Sequence, residues 1–330
     1  ENIHDAFDKE NQNLSNALLL AIAYSASTGR MATLIATPPN LVLATIVQET
    51  YGIEITFSKW FMFGLPISLI LLAICWKYLT EIAFTFKQKK FPGGRNEINK
   101  QLKSLGKLSY EEKMVLLIFV GTAFAWITRS FLLQKLIPNL DDTIIAVIAG
   151  ILLFILPASK SKNRKLINWE EAVKLPWGIL LLFGGGLALA QGFKTSGLAE
   201  WIGGQLTLLE GASIFILLLF LIALVNFLTE ITSNLATTAM ILPILAPLSL
   251  VLDVNPLILM VGATVAASCA FMLPVATPPN AVVFGSGYLR IPDMAKTGVW
   301  MNLFSIIFLT IMVYFLLPIL WGFNPNEIIS

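Results

Sequence analysis

Ala36-Thr37-Pro38-Pro39-Asn40 recurs in this chain as Ala276-Thr277-Pro278-Pro279-Asn280, each time inside a long apolar stretch. Proline has no N–H and clashes with the preceding turn, so a helix that meets Thr-Pro-Pro-Asn breaks and leaves carbonyls without donors. Those carbonyls, joined by Ser, Thr and Asn oxygens, make a neutral nest for a small hard cation such as sodium, held loosely enough to be released. The helices restarting after Asn40, Asn280 and Asn234 turn N-termini inward, and their free N–H groups attract an anion. A cation nest beside an anion nest is what sodium-coupled uptake of a carboxylate requires. The hydroxyls of Thr37, Thr277, Ser233 and Thr237 can add donors. The alternative is that the proline pairs only kink structural helices and the polar residues only bridge helices. Two copies in the two halves of a membrane chain favour a central transport site.

The elements that must position these residues are membrane helices. The 330 residues are 56% hydrophobic and 13% charged, with a mean hydropathy of +0.78, which excludes an ordinary soluble domain. A span needs about 20 apolar residues. The expected spans are Leu14–Val47 (broken at the first proline pair), Trp60–Tyr78, Met114–Leu133, Thr143–Leu156 and Trp177–Phe193. Ser213–Thr229 and Ala236–Leu252 follow as a pair, then Leu257–Phe284 (broken at the second proline pair) and Val299–Leu320.

Lysine and arginine give the orientation. The loop from Lys77 to Lys113 and the cluster Lys160, Lys162, Arg164 and Lys165 fall on one side, the cytoplasmic one. Arg290 and Lys296 join them if Ser213–Leu252 enters and leaves from outside. Its polar tip, Thr229-Glu230-Ile231-Thr232-Ser233-Asn234, fits a re-entrant hairpin, although two full spans would return the chain to the same side. The two breaks then run antiparallel, as in an inverted repeat with its site at mid-bilayer. The fold class expected is an all-α integral membrane protein, an inverted-repeat secondary transporter with a re-entrant hairpin and two discontinuous helices.

Other residues carry less. Gly184-Gly185-Gly186 lacks the lysine and Ser/Thr of a phosphate loop and reads as a close-packing element. Arg30 and Glu230 are intramembrane charges near the site, expected either to meet substrate or to form an internal ion pair that holds the hairpin. Arg129, Glu81 and Glu200 lie near span ends, where they can reach the interface. Cys75 and Cys269 read as small hydrophobes, and a single histidine, His4, leaves too few groups for a metal or a nucleophile–base pair. The chain is therefore not expected to be an enzyme, and a net charge of +2 gives no reason to expect nucleic acid.

At this point the motifs become familiar. Thr229-Glu230-Ile231-Thr232-Ser233-Asn234-Leu235-Ala236-Thr237 resembles the Ser-Asn-Thr hairpin tip of the divalent-anion/sodium symporter (DASS) family. Ala267 to Asn280 is similar to that family's second broken span, and Trp177 to Gly186 to another of its stretches. The resemblance covers essentially the whole chain and lies with the bacterial dicarboxylate branch. It implies symport of succinate, malate or fumarate with sodium across the cell inner membrane, by an elevator-type motion of a multi-pass homodimer. Sulfate or a tricarboxylate is the alternative cargo. It implies sodium ligands at Thr229, Thr232, Asn234 and Ala276 in one site and at Ala36 in another. It also implies substrate contacts at Asn234, Thr277, Pro278 and Thr37, with membrane lipid as the surroundings and no organic cofactor.

The matching organisation is a polar segment over 1–13, first-half transport helices over 14–78 and a basic cytoplasmic loop over 79–110. Scaffold helices follow over 111–211, the second-half transport domain over 212–322 and a tail over 323–330. Two departures stand out. Leu235 occupies a position where many relatives have threonine, and the first-half counterpart of the tip would fall about 46 residues before Asn40, ahead of Glu1. The chain is therefore expected to be a fragment, or a truncated gene product, with one complete hairpin.

Overall fold

Both proline pairs begin helices. Proline's missing N–H costs nothing in the first turn and its φ suits that position, so α2 starts at Pro38 and α11 at Pro278. The computed structural model describes residues 3–84, 94–158, 164–174 and 213–327, with scattered positions between 184 and 201. The helices are α1 (Ile3–Gly29), α2 (Pro38–Tyr51), α3 (Phe57–Lys77, extended by a π-helical turn to Ala83), α4 (Gly94–Leu105) and α5 (Tyr110–Thr128, extended to Leu136). They continue with α6 (Asp142–Ile155), α7 (Trp169–Ala172), α8 (Ile214–Leu228), α9 (Asn234–Val251) and α10 (Pro256–Ala267). Last come α11 (Pro278–Phe284) and α12 (Ile291–Ile311, continuing through a π-helical turn to Trp321). No β-strand occurs among the described residues. Among the described residues three helices, Phe57–Ala83, Tyr110–Leu136 and Ile291–Trp321, are long and apolar enough to cross a membrane.

The helices follow the expected spans closely, and the polar N-terminal stretch differs. It is helical from Ile3 and continuous with α1, because residues such as Asp, Lys, Glu and Ala are helix-compatible even where no apolar period announces a helix. The expected span Trp177–Phe193, together with Lys87, Lys89, Lys90, Lys160, Lys162, Gly186 and Glu200, lies largely or wholly outside the described residues; Gly184 and Gly185 are helical.

The chain divides into two compact units. The first comprises residues 1–55, 59–86 and 179–330. Its centre is α10, whose sequence PLILMVGATVAA is apolar all round, as a helix enclosed on every side must be. Every residue of α10 is buried, and α2, α8, α9 and α12 pack around it. Gly262 admits Leu218 of α8, since a Cβ there would lie 2.7 Å from the Leu218 Cδ1 atom. α1 packs along α11 while α2 packs along α10. Each arm of one broken helix thus lies against the opposite arm of the other.

The second unit comprises residues 56–58 and 87–178. A capping box opens α5: the Ser109 hydroxyl accepts the Glu112 N–H at 3.1 Å and the Glu112 carboxylate accepts the Ser109 N–H at 2.7 Å. Arg129 was expected at the interface, and the structure buries it. It is 1% exposed, with Nε 2.7 Å from Asp142 Oδ1 and Nη1 donating to the Leu140 carbonyl at 3.2 Å. The π-helical turn Arg129–Leu133 accompanies this burial: its i→i+5 hydrogen bonds fit more residues into a turn than an α-helix does and so rotate the side chains around the axis. Asp142 also accepts the Phe57 N–H at 3.0 Å. Arg129→Leu would remove the ion pair with the Asp142 carboxylate. Because Asp142 is 23% exposed, the expected loss is about 2 kcal/mol, below that of a fully buried pair, read as a lower melting temperature in detergent.

Candidate functional site

The two Ala-Thr-Pro-Pro-Asn copies adopt one local structure. Thr37 (φ −144°, ψ 136°) and Thr277 (φ −143°, ψ 148°) are both extended residues that precede the first turn. Asn40 turns its amide back to donate to the Thr33 carbonyl at 3.0 Å, and Asn280 donates to the Leu273 carbonyl at 3.0 Å, each seven residues upstream. The asparagine thus closes the segment that the prolines opened. Asn280 also reaches the Ala270 carbonyl at 3.2 Å. In the second copy the Thr277 hydroxyl accepts the Asn280 N–H at 3.3 Å. In the first, the Thr37 hydroxyl is buried with no hydrogen-bond partner among the described residues.

Each break is pressed by the long helix that follows it. At Gly64 in α3 a Cβ would lie 2.6 Å from the Met31 carbonyl. At Gly298 in α12 it would overlap the Phe271 carbonyl and lie 2.5 Å from Met272 Cα. Only glycine lets backbone approach backbone this closely. Trp60 secures the first break by donating Nε1 to the Met31 carbonyl at 3.0 Å. The two breaks adjoin: Met31 Sδ is 3.6 Å from Cys269 Sγ, and Tyr24 and Phe271 meet edge to face with ring centroids 5.0 Å apart.

The polar tip spans Thr229 to Ser233 between α8 and α9. Ser233 caps α9 by accepting the Ala236 N–H at 3.1 Å, as serine does at helix N-termini. The Thr229 hydroxyl, fully buried, lies 2.9 Å from Asn234 Oδ1 and 3.1 Å from the Ala267 carbonyl at the end of α10. Asn234 is 7% exposed and its Nδ2 has no hydrogen-bond partner among the described residues. Ala276 and Thr277 are buried, while Ala36 and Pro278 are exposed.

The structure therefore brings Thr229, Asn234 and the Ala267 carbonyl together. It turns the Thr232 hydroxyl toward the Leu228 carbonyl at 3.0 Å and toward Thr237. Among the described residues no hydrogen bond joins Ala36 or Thr37 to Asn234 or Thr277. Arg30 and Glu230 form no ion pair with each other: Arg30 donates to the Ser268 carbonyl at 3.4 Å, and the Glu230 carboxylate collects backbone N–H groups and the Asn302 amide. Sequence reading missed Asn226, which donates to the Cys269 carbonyl at 2.6 Å, as well as Asn302 and the fastening role of Asn40 and Asn280. An asparagine isolated in an apolar helix was the available signal.

The sequence pattern of the family described as "Sodium:sulfate symporter transmembrane region" matches residues 1–322. This chain belongs to the sodium:sulfate symporter family. Among its curated relatives, a protein named sodium-dependent dicarboxylate transporter SdcS from Staphylococcus saprophyticus is 50% identical over 314 residues, covering 94% of this chain and 60% of the relative. Its namesake from Staphylococcus aureus USA300 is 48% identical over 319 residues, covering 96% of this chain and 61% of the relative. The chain thus spans about three fifths of the length of the relatives it matches. Sodium:sulfate symporters are membrane transporters and not enzymes, and this member is an integral membrane protein with several apolar helices.

Proposed function

We propose that the protein carries C4-dicarboxylates (succinate, malate, fumarate) across the membrane together with sodium. The observation that carries this reading is that the buried polar atoms without a hydrogen-bond partner among the described residues include Asn234 Nδ2 at the tip and Thr37 Oγ1 at the first break. A buried polar atom without a hydrogen bond costs about 1–3 kcal/mol, and a bound carboxylate removes that cost. Thr229, Asn234 and Ala276, with Thr232 beside them, supply oxygens for sodium in the second half, and Ala36 for a further sodium. Asn234, Thr277, Pro278 and Thr37 face the substrate. The names of the two SdcS relatives favour a dicarboxylate over sulfate or a tricarboxylate.

Several observations support the finer parts of this reading. The opposed packing of the two broken helices fits an inverted repeat. The 15 residues of α8 extend only about 22 Å at 1.5 Å each, short of a hydrocarbon core, which favours a re-entrant hairpin. The first compact unit joins 14–55 and 59–78 to 212–322, nearly all of the two halves assigned to a transport domain, while residues 111–178 of the assigned scaffold fall in the second and 179–211 in the first. An elevator motion needs such a division. In that scaffold Leu117, Phe119, Phe124 and Ile155 are exposed apolar side chains, suited to lipid or to a second protomer.

The test is succinate uptake into proteoliposomes holding the protein expressed from its own gene. An inward sodium gradient is expected to drive accumulation. Equal uptake in potassium or choline would remove the coupling, and sulfate outcompeting succinate would move the substrate assignment.

A further inference from the structure

Glu230 lies in the polar tip, directly after Thr229 and two residues before Thr232, and it is 3% exposed. Its Oε1 accepts the N–H groups of Phe271 at 2.7 Å and Met272 at 3.0 Å, and its Oε2 accepts that of Leu273 at 3.0 Å. Asn302 of α12 adds a fourth donor, Nδ2 to Oε1 at 2.8 Å, and its own Oδ1 also faces the Phe271 N–H at 3.3 Å. These three consecutive N–H groups belong to the stretch between α10 and α11 that leads to Ala276 and Thr277. One carboxylate therefore fastens the hairpin tip to the second break, through charge-assisted bonds that are roughly twice as strong as neutral ones.

We propose that Glu230 is a positioning residue that presets the second-half sodium nest. This inference rests on the sodium-coupled reading above. Thr229 and Asn234 stand on one wall of the nest and Ala276 on the other, and only a fixed separation between tip and break makes their oxygens converge. Without the brace, each sodium ion that binds must also order the tip. Both Glu230 oxygens are occupied by N–H donors, which leaves the ion itself to neutral ligands. The carboxylate thus fixes the geometry without holding the cation so tightly that it cannot leave.

The experiment uses the protein from its own gene, with Glu230→Gln and the exchange variant Glu230→Gln/Asn302→Asp. Glutamine removes the charge and sets an NH2 donor against backbone donors. In proteoliposomes the sodium concentration giving half-maximal succinate uptake is expected to rise about tenfold or more, the size of a lost charged hydrogen bond. The maximal rate at saturating sodium should be largely kept. Hydrogen exchange at the Phe271, Met272 and Leu273 amides should accelerate by about tenfold as local opening becomes easier. The exchange variant returns a carboxylate to the same pair from the α12 side, and should recover sodium half-saturation to within about threefold of the starting protein.

An unchanged sodium half-saturation in Glu230→Gln would overturn the proposal while the unaltered protein remains sodium-driven. So would a fall in maximal rate alone, the mark of a purely structural role. Uptake by the unaltered protein that ignores sodium would instead overturn the reading of the site, and the proposal with it. Should Glu230→Gln not fold, Asn302→Ala removes one of the four donors. It is expected to raise sodium half-saturation about threefold, and no rise would overturn the brace.

Discussion

Asn234→Ala is expected to cut succinate uptake by more than about 100-fold while the yield of folded protein stays close to normal. Asn234 opens α9, and its amide offers an oxygen on one side and two N–H donors on the other. The oxygen already faces Thr229 at 2.9 Å, where it can complete a ring of neutral ligands. The amide nitrogen has no protein partner, so alanine breaks no hydrogen bond on that side in the folded protein. Thr229 keeps its bond to the Ala267 carbonyl, and Ser233 still caps the helix. On the proposed reading of the site, a cation ligand and a carboxylate ligand are thus lost together at little structural cost. The measurements are initial uptake rate and the monodisperse fraction after purification. Normal uptake with unchanged sodium dependence would make the tip a structural loop and nothing more.

Gly298→Ala should destabilise the folded state by about 3 kcal/mol or more, at the upper end of overpacking costs. The added methyl would meet the Phe271 carbonyl and Met272 Cα, which are backbone atoms that no side-chain rotation can move away. Phe271 and Met272 are also held by Glu230, so the break cannot retreat without releasing the tip. At roughly 2 °C per kcal/mol for a chain of this size, the melting temperature in detergent should fall by about 6 °C. Gly150→Ala is the control: it sits in α6 with nothing within 4 Å of the added atom. If both variants melt like the starting protein, α12 does not press on the break as described.

Much of the fold was legible because membrane helices and proline both act through local rules. The broken spans, the long apolar helices and the polar tip follow from apolar length and from proline's missing donor; α3, α5, α6, α8, α9 and α10 begin within about four residues of the expected places, whereas α1 and α12 begin earlier. What resisted reading depends on partners that sequence does not display. Glu230 read as a residue that either meets substrate or forms an internal ion pair, yet its donors are three backbone N–H groups and an asparagine amide. Arg129 read as a residue reaching for the interface because it lies near the end of an apolar span, yet the chain takes a π-helical turn there and buries it against Asp142. Asn40 and Asn280 read as residues that restart a helix. Their grip on carbonyls seven residues back exists only once the break has formed.

The burial of α10 bears on how the molecule is made. Twelve residues rise about 18 Å, too little to cross a hydrocarbon core unaided. Its first residue is proline, and its N-cap Asn255 turns its side-chain oxygen onto the Leu257 N–H at 3.0 Å. As the chain emerges from the ribosome, nothing in α10 alone commits it to lipid. It fills a slot walled by α2, α8 and α9, all of which precede it in the sequence. α12, which follows it and is long enough to span by itself, closes that slot. The placement of this enclosed helix therefore depends on neighbours that lie both before and after it in the sequence.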